Sequence, residues 1–124
     1  MPDNMIVLAI DDNVQQLNEF NSILTPKYDL RAAKSASDAI SYLNKNKADV
    51  ILLDIQMPHI SGFEFLEDIK MVPSHSETPI IIVSGTVGND FVEKALAAGA
   101  ADVLKKPVSQ DQLTEAIEKA LAAG

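Results

Sequence analysis

The stretch Val50-Ile51-Leu52-Leu53-Asp54 decides the fold of this chain, because four consecutive aliphatic residues end abruptly in an acid. An apolar run without alternation is typical of a strand that is buried on both faces, as in a parallel sheet. Asp54 would then lie at the carboxyl end of that strand, where open α/β sheets place their ligands. Taken alone, Asp54 could equally cap the following turn, since aspartate is a common loop residue.

Four other segments have strand character, and helical patterns separate them. Residues 5–10 are an aliphatic run, and residues 79–84 form another aliphatic strand with proline as its first residue. Residues 28–34 form a weaker strand that mixes polar with apolar residues, and residues 101–105 form a short strand. Apolar residues at helical spacing follow the capping residues Asn13, Ser35 or Ser37, and Ser109, and two further helices are expected to begin at about Ser61 and Asp90. Strands that alternate with helices indicate an α/β fold with a parallel sheet covered on both faces.

The apolar content of the strands predicts their order in the sheet. The first, third and fourth strands are the most apolar and should be central, so the order 2-1-3-4-5 fits best. We therefore expect a flavodoxin-like, doubly wound, five-stranded parallel sheet with five helices. The 124 residues are enough for one domain, and we expect it to span residues 1–124.

Composition limits the functions that this chain can have. The net charge of −8 argues against direct nucleic-acid binding and against docking on an anionic membrane, since both need basic residues. The chain has no cysteine, which excludes disulfides and thiolate metal sites and fits a reducing compartment. Its apolar runs are too short for a membrane span, and its N-terminus lacks a signal-peptide pattern. We therefore expect a cytoplasmic protein.

Polar residues follow the central strands at one edge of the predicted sheet. They are Asp11 and Asp12 after the first strand, Asp54 after the third, Ser84 at the end of the fourth, and Lys105-Lys106 after the fifth. Three carboxylates in one place repel one another unless a positive charge lies between them. Oxygen ligands without thiolates suit magnesium, which keeps several waters and prefers carboxylates together with a phosphate. A hydroxyl and an ammonium would complete a pocket for a phosphoryl group.

The phosphoryl group is not expected to belong to a bound nucleotide. The sequence has no glycine-rich phosphate loop of the Walker or dinucleotide type. The remaining candidate is a phosphoryl group on the protein itself, with Asp54 as the nucleophile.

Over its full length the chain resembles the receiver domains of two-component response regulators, in the single-domain form known from chemotaxis. The resemblance is carried by Asp11-Asp12, by Leu53 to Pro58 with Gly62 following, by Ser84-Gly85 and by Lys106-Pro107. It implies a module that is switched by phosphorylation and is not an enzyme, although it would catalyse its own phosphotransfer and dephosphorylation. The expected partners are a sensor histidine kinase or phosphotransfer protein, which donates the phosphoryl group, and a downstream protein target.

The resemblance also implies a role for each site residue. Asp54 would accept the phosphoryl group, and Asp12, Asp54 and the backbone carbonyl of Gln56 would ligate Mg²⁺, with Asp11 acting largely through water. Lys106 would contact the phosphoryl group, and its bond to Pro107 is expected to be cis, whereas Lys105 would be a solvated charge. Ser84 would be the switch hydroxyl that pulls residues 85–89 toward the new oxygens.

The chain departs from the family pattern at two positions next to the site. Val103 stands where many members carry a switch Tyr or Phe, and Val108 replaces a frequent aromatic residue. The output face, made of the fourth helix, fifth strand and fifth helix, would then signal by loop and helix movement. Gln56 and Thr86 flank the expected path of the phosphoryl group, and we hypothesise that they tune its hydrolysis.

Two other function classes compete with this interpretation. A Mg²⁺-dependent aspartyl-phosphate phosphohydrolase usually has a second acid two residues after its nucleophile, where this chain has Gln56, and it needs a cap segment, which this sequence lacks. A flavodoxin-type cofactor binder would need a hydroxyl- and glycine-rich loop after the first strand, where Asp11 and Asp12 would repel a phosphate.

Residues outside the site have simpler expected roles. His59 and His75 are expected to be exposed loop residues, whereas Phe63, Leu66 and Phe91 are expected to lie in the core.

Overall fold

The computed structural model contains one parallel sheet of five strands. They are β1 (Ile6–Ile10), β2 (Asp29–Ala33), β3 (Val50–Leu53), β4 (Ile80–Ser84) and β5 (Asp102–Lys105), in the order β2-β1-β3-β4-β5. The structure describes residues 5–25, 27–55, 62–85 and 88–123, with only the backbone of residues 62, 63 and 123. The predicted doubly wound order is therefore confirmed, with the weak second and fifth strands at the two edges.

Five α-helices connect or follow the strands. They are α1 (Val14–Leu24), α2 (Ala36–Lys45), α3 (Gly62–Met71), α4 (Asn89–Ala97) and α5 (Gln110–Ala123), and a 3₁₀ turn (Pro73–His75) lies between α3 and β4. The Asn13 side chain accepts hydrogen bonds from the backbone of the first turn of α1, and Ser35, rather than Ser37, caps α2 in the same way.

The start of α5 carries a reciprocal cap. The Gln112 backbone N–H donates to Ser109 Oγ at 3.1 Å, and the Ser109 N–H donates to Gln112 Oε1 at 3.0 Å. Two backbone donors that α5 cannot pair internally are satisfied in this way. The predicted cap at Ser109 is therefore confirmed.

The sheet separates two hydrophobic cores. Side chains of α2, α3 and α4 pack with Leu8, Ile51 and Ile80 on one face of the sheet, which we call the α3 face. Side chains of α1 and α5 pack with Val7 and Leu52 on the other face, which we call the α1 face. Successive strand residues point to opposite faces, so the unbroken aliphatic runs fill both cores. Burial on both faces explains why these strands show no polar alternation.

The expected core residues of α3 and α4 have different outcomes. Leu66 is fully buried, and Phe91 is half-buried against the core of the α3 face. Phe65, which the helical pattern did not single out, is also buried. The side chain of Phe63 lies outside the described residues. None of the described helices combines the length and the apolar character that a bilayer crossing requires.

The prediction that His75 is exposed is wrong. Its side chain is 1% exposed, and its Nε2 lies 2.9 Å from the Leu43 carbonyl oxygen in the last turn of α2. A carbonyl oxygen only accepts, so Nε2 carries the proton, and buried Nδ1 has no hydrogen-bond partner within the part of the chain that the structure describes. The 3₁₀ turn folds the polar connector back onto α2, which buries a ring that its sequence neighbours suggest is solvated. His59 lies outside the described residues.

Candidate functional site

Parallel register brings the predicted acids to one edge of the sheet. Ile10 pairs with Leu53, so Asp11 and Asp54 leave β1 and β3 at the same height. The Asp54 N–H donates to the Ile10 carbonyl at 3.0 Å, and the Asp11 N–H donates to the Ala33 carbonyl at 3.0 Å. Backbone hydrogen bonds therefore hold both residues just beyond their strands.

Three carboxylates meet at this edge. Asp11, Asp12 and Asp54 each present an oxygen within 4.8 Å of the others. Asp11 is 1% exposed and Asp54 is 7% exposed, whereas Asp12 faces solvent. Two buried acids and one exposed acid form a cluster that can be entered from one side. The predicted convergence of the three carboxylates is thus present in the structure.

Sequence reasoning missed one contact that positions this cluster. The backbone N–H of Asn13 donates to Asp11 Oδ1 at 2.9 Å, while the Asn13 side chain caps α1. An aspartate that accepts from the backbone two residues on forms a recurrent local turn, and an Asp-x-Asn sequence before a helix could have indicated it. The cap and this hydrogen bond together orient Asp11 relative to α1.

Lys106 supplies the positive charge. Its Nζ lies 3.0 Å from Asp11 Oδ2 and 3.4 Å from Asp54 Oδ2, with 22% of its side chain exposed. Its backbone N–H donates to the Ser84 carbonyl at 2.8 Å, and the Lys106-Pro107 bond is cis, as expected. The lysine that directly precedes the proline enters the site. Its neighbour Lys105 is exposed, which agrees with a solvated charge.

Ser84 ends β4 beside this cluster. It is 0% exposed and pairs with Lys105 across β4 and β5, and the following Gly85 is exposed. Because its carbonyl accepts from Lys106, Ser84 is linked through the main chain to the residue that bridges the acids. Gln56, whose backbone carbonyl is a predicted metal ligand, lies outside the described residues, as does Thr86, which is predicted to tune hydrolysis of the phosphoryl group together with Gln56.

The two valines that depart from the family pattern both pack against a hydrophobic core. Val103 is half-buried against the core of the α3 face, and Val108 is half-buried against the core of the α1 face. Both side chains therefore contribute to packing, Val103 within β5 and Val108 shortly after it.

The donor set of this site fits a hard divalent cation. Its described ligands are carboxylate oxygens, which Mg²⁺ prefers, and the exposed Asp12 leaves room for the waters that Mg²⁺ retains. Lys106 offsets only part of the charge of three carboxylates that lie this close together. A cation at the open side would reduce the remaining repulsion.

Comparison with known proteins identifies the family. The family model described as response regulator receiver domain matches residues 7–118. The chain is 34% identical over 119 residues to the 3',5'-cyclic-nucleotide phosphodiesterase regA of Dictyostelium discoideum. It is 32% identical over 117 residues to the transcriptional regulatory protein ZraR of Salmonella typhimurium. Each alignment covers 94% of this chain, but only 15% of regA and 26% of ZraR.

A solved structure extends this similarity to the fold. The chemotaxis protein CheY4 of Vibrio cholerae superposes with a TM-score of 0.90 at 27% identity, covering 96% of this chain and 100% of that one. The strand order, the acidic cluster and the lysine of this chain are thus accompanied by a family match over most of its length. The chain belongs to the response regulator receiver domain family of two-component signalling.

Proposed function

We propose that this chain is a phosphorylation-switched signalling module in which Asp54 accepts a phosphoryl group from a phosphohistidine. The donor would be a sensor histidine kinase or a phosphotransfer protein, and the receiver would extend over residues 1–124. One observation carries the proposal: three carboxylates lie within 4.8 Å of one another, and one ammonium contacts two of them. Receiver domains as a family accept phosphoryl groups and bind Mg²⁺ at an acidic pocket.

Asp54 is the acid best placed to act as the nucleophile. It is buried, so few waters compete with a phosphoryl donor, and it ends the central strand of the sheet. Asp11 is held by the Asn13 N–H and by Lys106, which suits an orienting residue. A carboxylate attached to a rigid strand needs little reorganisation before attack.

Asp11, Asp12, Asp54 and the backbone carbonyl of Gln56 would hold Mg²⁺, with Asp11 acting largely through water. Bound Mg²⁺ would supply positive charge that offsets the charge of the phosphoryl oxygens. Lys106 already lies 3.4 Å from an Asp54 oxygen, so its ammonium can contact a phosphoryl group there after a small movement. Both cations would then act on charge that grows during the transfer.

Ser84 would transmit the change. Its hydroxyl would move toward the new oxygens and draw residues 85–89 with it, which would alter the face formed by α4, β5 and α5. Two or three hydrogen bonds to a charged group, at about 1.5–3 kcal/mol each, are comparable to the ~5.5 kcal/mol that inverts a 1:99 equilibrium. With valine at position 103, movement of the loop and of α4 would carry the signal to a downstream protein target.

The test is phosphorylation by a small acyl phosphate in the presence of Mg²⁺, followed by intact mass. We expect one phosphoryl group per chain, lost in Asp54→Asn and retained in the control Asp68→Asn, whose acid is exposed on α3. A chain that instead releases phosphate over many turnovers, without a stable adduct, would be a phosphohydrolase. A phosphorylated Asp54→Asn variant would refute the assignment.

Metal binding has a separate readout. Calorimetric titration with MgCl₂ should show one site per chain, and Asp12→Asn should weaken it because an exposed ligand is lost while the buried acids stay paired. Equal affinity in the variant and the parent would remove Asp12 from the proposed ligand set.

A further inference from the structure

Lys70 lies at the edge of the sheet opposite to Asp54, where β4 and β5 begin. It is half-buried in the last turn of α3, and its Nζ donates to the Thr78 carbonyl at 3.0 Å and reaches the Ser76 carbonyl at 3.5 Å. The site of phosphoryl transfer makes no use of this amine. Its position is nevertheless defined, since two carbonyls of the connector before β4 hold it.

The side chain of Lys70 opens into a cavity of about 420 Å³. The cavity combines small apolar walls with charged groups, and those used here are Ala101, Ala116, Glu77, Asp102 and Lys119. Most of the exposed lining is apolar, although both signs of charge are present. A small uncharged group attached to Nζ would find space and apolar contacts there.

Packing holds the rest of the Lys70 side chain and affects its charge. Its methylene carbons lie 3.5–3.9 Å from the position that a Cβ on Gly99 would occupy, so the stem lies against the turn that ends α4. Burial lowers the pKa of the Lys70 ammonium, and the charge of Glu77 opposes part of that effect. A larger fraction of a lysine with a lowered pKa is the neutral amine, which is the nucleophilic form.

We propose that Lys70 Nζ is an acylation site that reacts with small acyl phosphates. The lone pair of the neutral amine attacks the acyl carbon, a C–N bond forms, and the bond from that carbon to the bridging oxygen breaks. Phosphate leaves with the electron pair, and the nitrogen loses one proton to water. No oxidant or further reactant is needed.

The product would fit the structure. The amide that forms keeps one N–H, which can still donate to the Thr78 carbonyl, while the acyl group enters the cavity. Acylation would remove one positive charge next to Glu77 and Asp102. The titratable groups that line the cavity together with Lys70 are Glu77, Asp102 and Lys119.

The experiment labels the folded Asp54→Asn chain briefly with acetyl phosphate at mildly alkaline pH. That variant removes the proposed phosphorylation, so success or failure here is independent of the proposed function. Initial acetylation rates for single lysines are read by peptide mass spectrometry, in buffer and in concentrated urea. Lys27 is the matched reference, because it is exposed and its hydrogen bond to Glu118 raises its pKa.

We expect Lys70 to acetylate several-fold faster than Lys27 in the folded chain, and faster than it does itself in urea. Glu77→Gln should raise the rate at Lys70 and leave Lys27 unchanged, since it removes the charge that favours the ammonium. Lys70→Arg should abolish the corresponding mass gain. A folded-state rate at Lys70 no higher than at Lys27, or no higher than in urea, overturns the proposal.

Discussion

Replacing Lys106 with methionine should destabilise the folded chain, and Mg²⁺ should reverse most of the loss. The substitution keeps much of the side-chain volume and removes the ammonium that lies 3.0 Å from Asp11 and 3.4 Å from Asp54. Both acids have side chains that are less than a tenth exposed, at 2% and 8%. Both buried carboxylates would lose the ammonium that contacts them.

The size of the effect follows from burial. Removing one partner of a buried ion pair typically costs about 3–5 kcal/mol. Two features favour the lower end: 22% of the Lys106 side chain is exposed, and Asp11 keeps its hydrogen bond from the Asn13 N–H. We therefore expect a loss of about 3 kcal/mol without metal. Mg²⁺ at a hundred times its dissociation constant stabilises the folded state by about 2.7 kcal/mol, which is similar in size.

The assay is urea unfolding followed by far-ultraviolet circular dichroism, with and without MgCl₂. Lys105→Met is the matched control, because Lys105 is exposed, and its loss should stay within about 0.5 kcal/mol. Mg²⁺ should also bind Lys106→Met more tightly than the parent, because the competing ammonium is gone. An equal loss of stability in both methionine variants, or no tighter Mg²⁺ binding by Lys106→Met, would show that Lys106 does not balance the charge of the two acids.

Three further substitutions test the packing around the site by the same unfolding measurement. His75→Ala should cost about 2–4 kcal/mol, because it empties a buried site and leaves the Leu43 carbonyl without its donor; a change within error would mean that the ring is not buried in solution. Ser109→Ala should cost about 1 kcal/mol through loss of the reciprocal cap with Gln112, whereas Ser109→Asp should retain most of it. Gly99→Ala should cost about 1–3 kcal/mol, because φ is +110° at this position and an alanine there is strained. The added Cβ would meet no atom closer than 3.5 Å, so the loss would come from the backbone and not from a steric clash. Unchanged stability in this variant would contradict that explanation.

Sheet order and strand identity could be predicted because each depends on local composition. The runs of β1 and β3 are aliphatic throughout, that of β4 is aliphatic up to Ser84, and all three lie at the centre, while β2 and β5 keep exposed or half-buried residues at the edges. The convergence of Asp11 and Asp54 could also be predicted, since the carboxyl ends of parallel strands share an edge. The distance between their carboxylate oxygens could not be predicted, because it depends on the register of the two strands.

The burial of His75 could not be predicted from the residues next to it. Residues 73–78 are polar except for a proline, and that pattern is typical of a solvated connector. The deciding group is the Leu43 carbonyl, which is distant in sequence and lies in the last turn of α2, where carbonyls lack partners within the helix. Only the tertiary fold brings a donor to it.

The pairing of β1 with β3 limits how this chain can change in length. Removing one residue from either strand would shift an acid by about 3.3 Å and turn it to the opposite face of the sheet. Added residues in the connectors would leave the two acids level. Descendants of this sequence should therefore tolerate insertions and deletions between their strands while these two keep the same spacing up to Asp11 and Asp54.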